Sequence, residues 1–279
     1  MKPLWLLLPC VFIGSCGPSI AASDMPLDLC DFQLVFSEDF DELSVAPWML
    51  DGKRWTAHTP WAGDFGDARF ADPGPDGPFR IDNSQLVITA RKNAAGKWQS
   101  GLLAAADQTG QGTGLPYGYF EARMKMPPGP GTWPAFWLIS LKPRSDKRPK
   151  VEIDVLEYYG HRDDAYQVAW HVWFEPPDED KKRGGGDMLD VPAGSLIERY
   201  NRFGVEVTPE QVTYYFNRQP VASFPTPPEH NEFRMPLYPL VNLALGSGWP
   251  IDETPNPSEL YVDYVRIYER MPAGQPSTC

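Results

Sequence analysis

Three carboxylates, Glu152, Asp154 and Glu157, stand in the run VEIDVLEYYG at residues 151–160. Their neighbours Val151, Ile153, Val155 and Leu156 are branched and apolar, which reads as a buried strand. Side chains alternate along a strand, so Glu152 and Asp154 share one face and Val151, Ile153 and Val155 take the other. Glu157 is out of phase and would point into the core, where an unpaired carboxylate is costly. One extra residue near Val155–Leu156, a β-bulge, restores the phase and turns all three acids to one side. Two carboxylates flanking a bond are the equipment of glycoside hydrolysis. Retention of configuration needs them about 5–5.5 Å apart. A flat strand with two paired steps would separate the Cα atoms of Glu152 and Glu157 by about 13 Å, at ~3.3 Å per residue. The strand must therefore curve and the side chains lean together. Crowding of the acids raises at least one pKa, which keeps a proton donor available beside an ionised neighbour. Two other readings compete: three solvated acids on an exposed strand face, and a ligand set for a hard cation. No further Asp or His cluster near this run supports the cation.

The elements that must present these acids are short and strand-like. Runs rich in aromatic and β-branched residues occupy 32–40, 79–92, 98–107, 117–127, 133–141, 151–159, 166–174, 202–217, 238–246 and 261–269. Only 195–203 suggests a short helix. The 31 prolines and 24 glycines punctuate these runs. Many strands with hairpin-length links predict an all-β antiparallel sandwich or barrel, without a linker that divides the chain. Two loops stand out, a charged glycine-rich tip at 176–187 and a long loop at 58–79, a length often tied to function. Alternation sorts the faces. Trp133, Ala135 and Trp137 oppose Phe136 and Leu138; Ala169, His171 and Trp173 oppose Val168, Trp170, Val172 and Phe174. Leu240, Asn242 and Ala244 oppose Val241, Leu243 and Leu245. One sheet thus carries an apolar face and a face of Trp, His, Asn and acid, as a sandwich with a groove would.

The chain has 279 residues and a formal net charge of −12. That charge argues against nucleic acid and polyanionic sugars as partners and suits a neutral one. The N-terminus MKPLWLLLPCVFIGSCG has one Lys before an apolar stretch of about 10 residues, which reads as an export signal. It is too short to span a bilayer, which takes about 20 residues. Two processing sites are open: after Ala22, giving a signal over 1–22, or a lipoprotein signal over 1–15 that leaves a lipidated Cys16. Lipid at Cys16 is the one membrane attachment expected. Either way residues 23–279 form a single expected domain. The mature chain keeps Cys30 and Cys279, and an exported chain with two cysteines pairs them. Their spacing lacks the clustering of a metal site, so no metal ligand is assigned.

With these residues in hand, the chain resembles glycoside hydrolase family 16. EIDVLE matches the longer, bulged form of the family signature, shared by laminarinases, agarases and carrageenases. YGYFEARMKMPPGPGTWPAFWLI, LVFSEDFD, PLVNLALGSGWP and YVDYVRIYE resemble further stretches of laminarinase-like members, in order along nearly the whole mature chain. The resemblance implies a curved jelly-roll sandwich with a concave cleft and a retaining endo-glycosidase. In that pattern Glu152 is the nucleophile, Glu157 the acid and base, and Asp154 the assisting carboxylate. Trp133 and Trp137 line sugar subsites, His171 and Asn242 are polar positions near the catalytic strand, and Trp249 is a loop aromatic at the cleft. Trp61, in the long loop, is a further expected sugar contact. The stretch HTPWAGDFGDARF departs from the laminarinase pattern and puts substrate identity in doubt. A neutral β-1,3- or mixed-linked β-1,3/1,4-glucan is the expected substrate. A transglycosylase, an agar-type galactan hydrolase and a catalytically silent sugar-binding protein are the alternatives. No cofactor is expected to be required; the family often carries a structural Ca²⁺, for which no ligands are assigned. The expected protein is an exported bacterial monomer, periplasmic, extracellular or anchored to the outer membrane.

Overall fold

The computed structural model describes residues 25–279 apart from 62, 273 and 275–278. The export signal and Cys16 lie outside the described residues. Two sheets pack face to face, one of ten strands and one of eight. Pairing is antiparallel except between Val45–Ala46 and Trp55–Thr56, and between Arg69–Phe70 and Trp98–Ser100. Among the described residues no helix is long and apolar enough to cross a membrane.

The eight-stranded sheet carries the acids. At its centre the strand Lys150–Glu157 lies between Thr132–Ser140 and Ala165–Trp173. Leu237–Leu245 follows on one side, then Leu102–Ala104; Arg183–Asp190 forms the opposite edge. The shared core fills the space between the sheets. Phe136, Leu138, Val151, Ile153, Val241 and Leu243 reach into it from this sheet, and Phe120, Ala122, Met124 and Val265 from the other. The face assignments read from alternation in these strands therefore hold.

Two strands of seven or eight residues lie outside the runs read from the sequence. The glycine-rich segment expected to be a loop tip enters a strand, Arg183–Asp190, paired along its length with Ala165–Trp173. Its glycines hid it, because glycine weakens a strand and normally marks a turn. The other is a strand, Gln219–Pro225, at the far edge of the ten-stranded sheet, followed by a helix, Pro228–Phe233. The expected helix at 195–203 is a single turn, Ser195–Glu198, before Asn201–Val207 begins.

Cys30 and Cys279 are bonded, with Cα atoms 5.1 Å apart across 249 residues of chain. The bridge ties the segment before the first long strand to the end of the chain. Beside it, Phe32–Glu38 pairs with Ser258–Arg270.

Candidate active site

The register on both sides of Lys150–Glu157 locates a bulge. Against Thr132–Ser140, Phe136 pairs with Leu156 and Trp137 with Asp154, so Val155 has no partner. Against Ala165–Trp173, three steps from Asp154 to Glu157 match two steps from Ala169 to Gln167. Val155 and Leu156 are both buried in the core. Burying each contributes roughly 1.5–3 kcal/mol, whereas a regular strand would expose Leu156 and bury Glu157 instead. The extra residue satisfies both apolar side chains and turns Glu157 to the same face as Glu152 and Asp154. The phase break expected near 155–156 is present.

Glu157 is held by two donors. The Trp133 indole N–H donates to its Oε1 at 3.1 Å, and the Tyr159 hydroxyl donates to the same oxygen at 3.3 Å. Tyr159 follows the strand and stacks over Trp133, with ring centroids 6.4 Å apart. Gly160 makes that turn possible, since a Cβ there would lie 2.0 Å from the Gly129 carbonyl oxygen. Asp154 is buried and lies 3.3 Å from His171 Nε2. Gly184 pairs with His171 across the strands, and a Cβ there would lie 2.4 Å from His171 Nδ1. The glycines that disguised this strand thus leave room for the imidazole. The Trp173 indole N–H lies near Glu152, where it favours the carboxylate while making no full hydrogen bond within the protein.

Burial raises the pKa of all three acids. Glu152 is pushed up to about 8, first by desolvation, then by Asp154 and Glu157, with His171 opposing. Asp154 is raised well above the carboxylate range by burial and by Glu157. Glu157 is raised by burial, against the donors Trp133 and Tyr159 and the nearby His171. The acids repel one another and titrate as a unit that retains a proton near neutral pH. The two donors on Glu157 oppose the rise that burial gives its pKa. Transfer to a leaving oxygen requires the proton of the unit to lie on Glu157.

A stability consequence follows from the same shift. The folded state holds a proton on Glu152 that the unfolded chain has lost between pH 4.5 and about 8. Stability therefore falls as pH rises through that window. Glu152→Gln removes this penalty. Thermal melts should show little difference between variant and wild type at pH 4 and a growing advantage for the variant up to pH 8. A melting difference independent of pH would show that Glu152 is not strained by its burial.

The other expected contacts divide by position. Trp133 is partly exposed and can offer a ring to a sugar. Trp137 is only 6 % exposed, and its indole N–H donates to Asn242 Oδ1 at 2.8 Å. Asn242 is wholly buried and also reaches the Trp133 carbonyl. These two, expected at subsites, lie beneath the groove surface and brace Trp133. The reason is the 58–79 loop, which folds over this part of the sheet. Phe65 sits 5.0 Å from Phe70, 5.5 Å from Trp133 and 6.1 Å from Trp137, ring centre to ring centre. Trp61 meets the edge of Trp137 at 5.9 Å, under the Lys150 ammonium. Leu102, Ala104, Leu240 and Ala244 are covered by the same cluster. His58 closes the neck of the loop through Asp72 at 2.8 Å. Trp249 is 47 % exposed and stacks against His161, outside the sheet. Sequence reasoning missed Tyr159 and Trp173 as site residues. Trp173 was legible from its shared face with His171, but Tyr159 lies past the strand end, where alternation gives no direction.

Among the described residues, Glu152, Asp154 and His171 bring ligand atoms within 4.8 Å of one another and could hold a cation. Glu157 stands outside that set, tied to Trp133 and Tyr159.

A β-sandwich that sets three carboxylates on one strand face beside the partly exposed Trp133 is the arrangement of the glycoside hydrolase class. The family model for glycosyl hydrolases family 16 matches residues 76–266, and the chain belongs to that family. It is 28% identical over 284 residues to the endo-1,3-1,4-beta-glycanase EglC of Rhizobium meliloti (strain 1021), covering 92% of this chain and 57% of that protein. The chain thus spans little more than half the length of that relative. It is 30% identical over 272 residues to a beta-glucanase of Rhodothermus marinus, covering 90% of each. The X-ray structure of the laminarinase from Rhodothermus marinus superposes with a TM-score of 0.64 at 24% identity, covering 86% of this chain and 98% of that one. The fold is the jelly-roll sandwich of these neighbours.

Proposed function

We propose that this protein is a retaining endo-glycoside hydrolase that cleaves internal bonds of a neutral β-1,3- or mixed-linked β-1,3/1,4-glucan. The observation that carries the reading is the bulge at Val155, which sets Glu152, Asp154 and Glu157 on one face of the groove. Glu152 attacks the anomeric carbon while Glu157 passes its proton to the departing glycosidic oxygen. The bond to the leaving sugar breaks as the bond to Glu152 forms. Glu157, now ionised, takes a proton from water, whose oxygen displaces Glu152. Two inversions give net retention. Asp154 sits between the two glutamates, and its contact with His171 holds it there. Crowding of three buried carboxyl groups resists ionisation of all of them at once, which keeps a proton in the unit. Trp133 presents a ring for the apolar face of a pyranose while its N–H fixes Glu157.

The names of the two relatives described above support the glucan, and the net charge of −12 disfavours a sulfated polymer. The bonded cysteines support an exported protein. Reducing-end release and viscosity are to be measured on linear β-1,3-glucan, mixed-linked glucan, β-1,4-glucan and agar-type galactan. Rapid viscosity loss with reducing ends on the first two is expected, and activity should survive chelation of divalent cations. Reducing ends from the galactan alone would replace the substrate assignment. Binding without new reducing ends would make this a sugar-binding protein.

A further inference from the structure

A separate aromatic platform stands at the neck of the 58–79 loop. Trp48 is 47 % exposed and stacks on His58, with ring centroids 3.9 Å apart and planes 9° from parallel. His58 is buried and held by Asp72 at 2.8 Å, so one face of the indole rests on a fixed ring and the other is open. Beside it is a cavity of about 220 Å³ lined by Trp48, His58, Arg69, Phe70, Asp72 and Gln99. Arg69 lies opposite Gln99 where Arg69–Phe70 pairs with Trp98–Ser100. Neither side chain makes a hydrogen bond among the described residues. Asp72 gives one oxygen, Oδ1, to His58 and keeps the other. The Phe70 ring lies 5.0 Å from Phe65, and Phe65 lies 5.5 Å from Trp133, centre to centre. Two rings thus stand between this cavity and the tryptophan that holds Glu157, and none of the residues around the acids lines it.

We infer that the Trp48–Arg69 cavity is a second binding site for neutral glucan, which takes one sugar ring of a chain apart from the bond that is cut. The identity of the ligand rests on the proposed function. The open face of Trp48 suits the C–H face of a pyranose. Around it Arg69 offers donors, Asp72 an acceptor and Gln99 both, a set that matches hydroxyls, which donate and accept. An anion would meet Asp72 and a cation would meet Arg69, whereas an uncharged sugar uses both. The cavity is smaller than the site of a drug-sized ligand, about 300–1,000 Å³, and so suits a single ring. Holding a long chain at this second point raises the concentration of its bonds at the acids.

The test compares a soluble β-1,3-glucan polymer with an aryl glycoside of a β-1,3-linked glucose disaccharide. In Trp48→Ala and in Arg69→Ala, KM on the polymer should rise about fivefold with kcat unchanged, and neither constant should move on the short substrate. Electrophoresis of the Glu152→Gln protein through gels that contain the polymer reads binding without turnover. The added Trp48→Ala should weaken that binding about fivefold. If the wild type cleaves neither substrate, the proposed hydrolysis fails, while retardation of the Glu152→Gln protein that weakens with Trp48→Ala still upholds the second site. Equal retardation with and without Trp48→Ala, or none in either protein, would overturn it. So would an unchanged polymer KM in both variants. An equal loss on polymer and disaccharide glycoside would overturn it too, because Trp48 would then serve the groove itself.

Discussion

Glu152→Gln should lower kcat/KM on glucan by about 10⁴-fold or more while leaving the fold intact, a loss of about 5.5 kcal/mol of transition-state stabilisation. Glutamine has the same shape and keeps its place beside Asp154, but its amide forms no glycosyl ester. The proposed reaction then has no covalent intermediate, and neither neighbour can replace it. Glu157 is held by Trp133 and Tyr159, and Asp154 is buried next to His171. Binding of the oligosaccharide should survive, since the rings that hold sugar are untouched. A residual activity within tenfold of wild type would remove Glu152 from the nucleophile's role.

Glu157→Gln should produce a different defect. With a sugar as leaving group, the first step loses its proton donor and kcat/KM should fall about 10³-fold. With an aryl leaving group that departs as a stable anion, that step needs little help and should keep most of its rate. Release of the phenol would then show a burst, because no base remains to activate water against the glycosyl-enzyme. Azide, which needs no base, should restore turnover and yield a glycosyl azide of unchanged configuration. Equal losses on both substrates, with no response to azide, would contradict the assignment of acid and base to Glu157.

The part of the site legible in the sequence is the part encoded locally. The spacing of two and then three between acids conflicts with strand alternation, and the apolar pair Val155–Leu156 names the place where the conflict resolves. The faces of Trp133, His171 and Asn242 follow from the same alternation. Exposure does not follow from it. Trp137 and Asn242 share a face with the acids, yet the 58–79 loop covers them through Trp61 and Phe65, contacts between segments some seventy to a hundred and eighty residues apart. The strand Arg183–Asp190 was hidden by Gly184, Gly185 and Gly186, which signal a turn locally. One of them is there because His171, opposite, needs the volume. Tertiary fit explains these residues, and a single sequence does not display it.

The central claim is that the bulge at Val155 equips one strand for double displacement. The most direct test is proton NMR of the first product released from a β-glucan oligosaccharide, read before the anomers equilibrate. The β-anomer should appear first and the α-anomer only later, by mutarotation. An initial α-anomer would mean single displacement by water, and Glu152 and Glu157 would not be acting as the nucleophile and acid described.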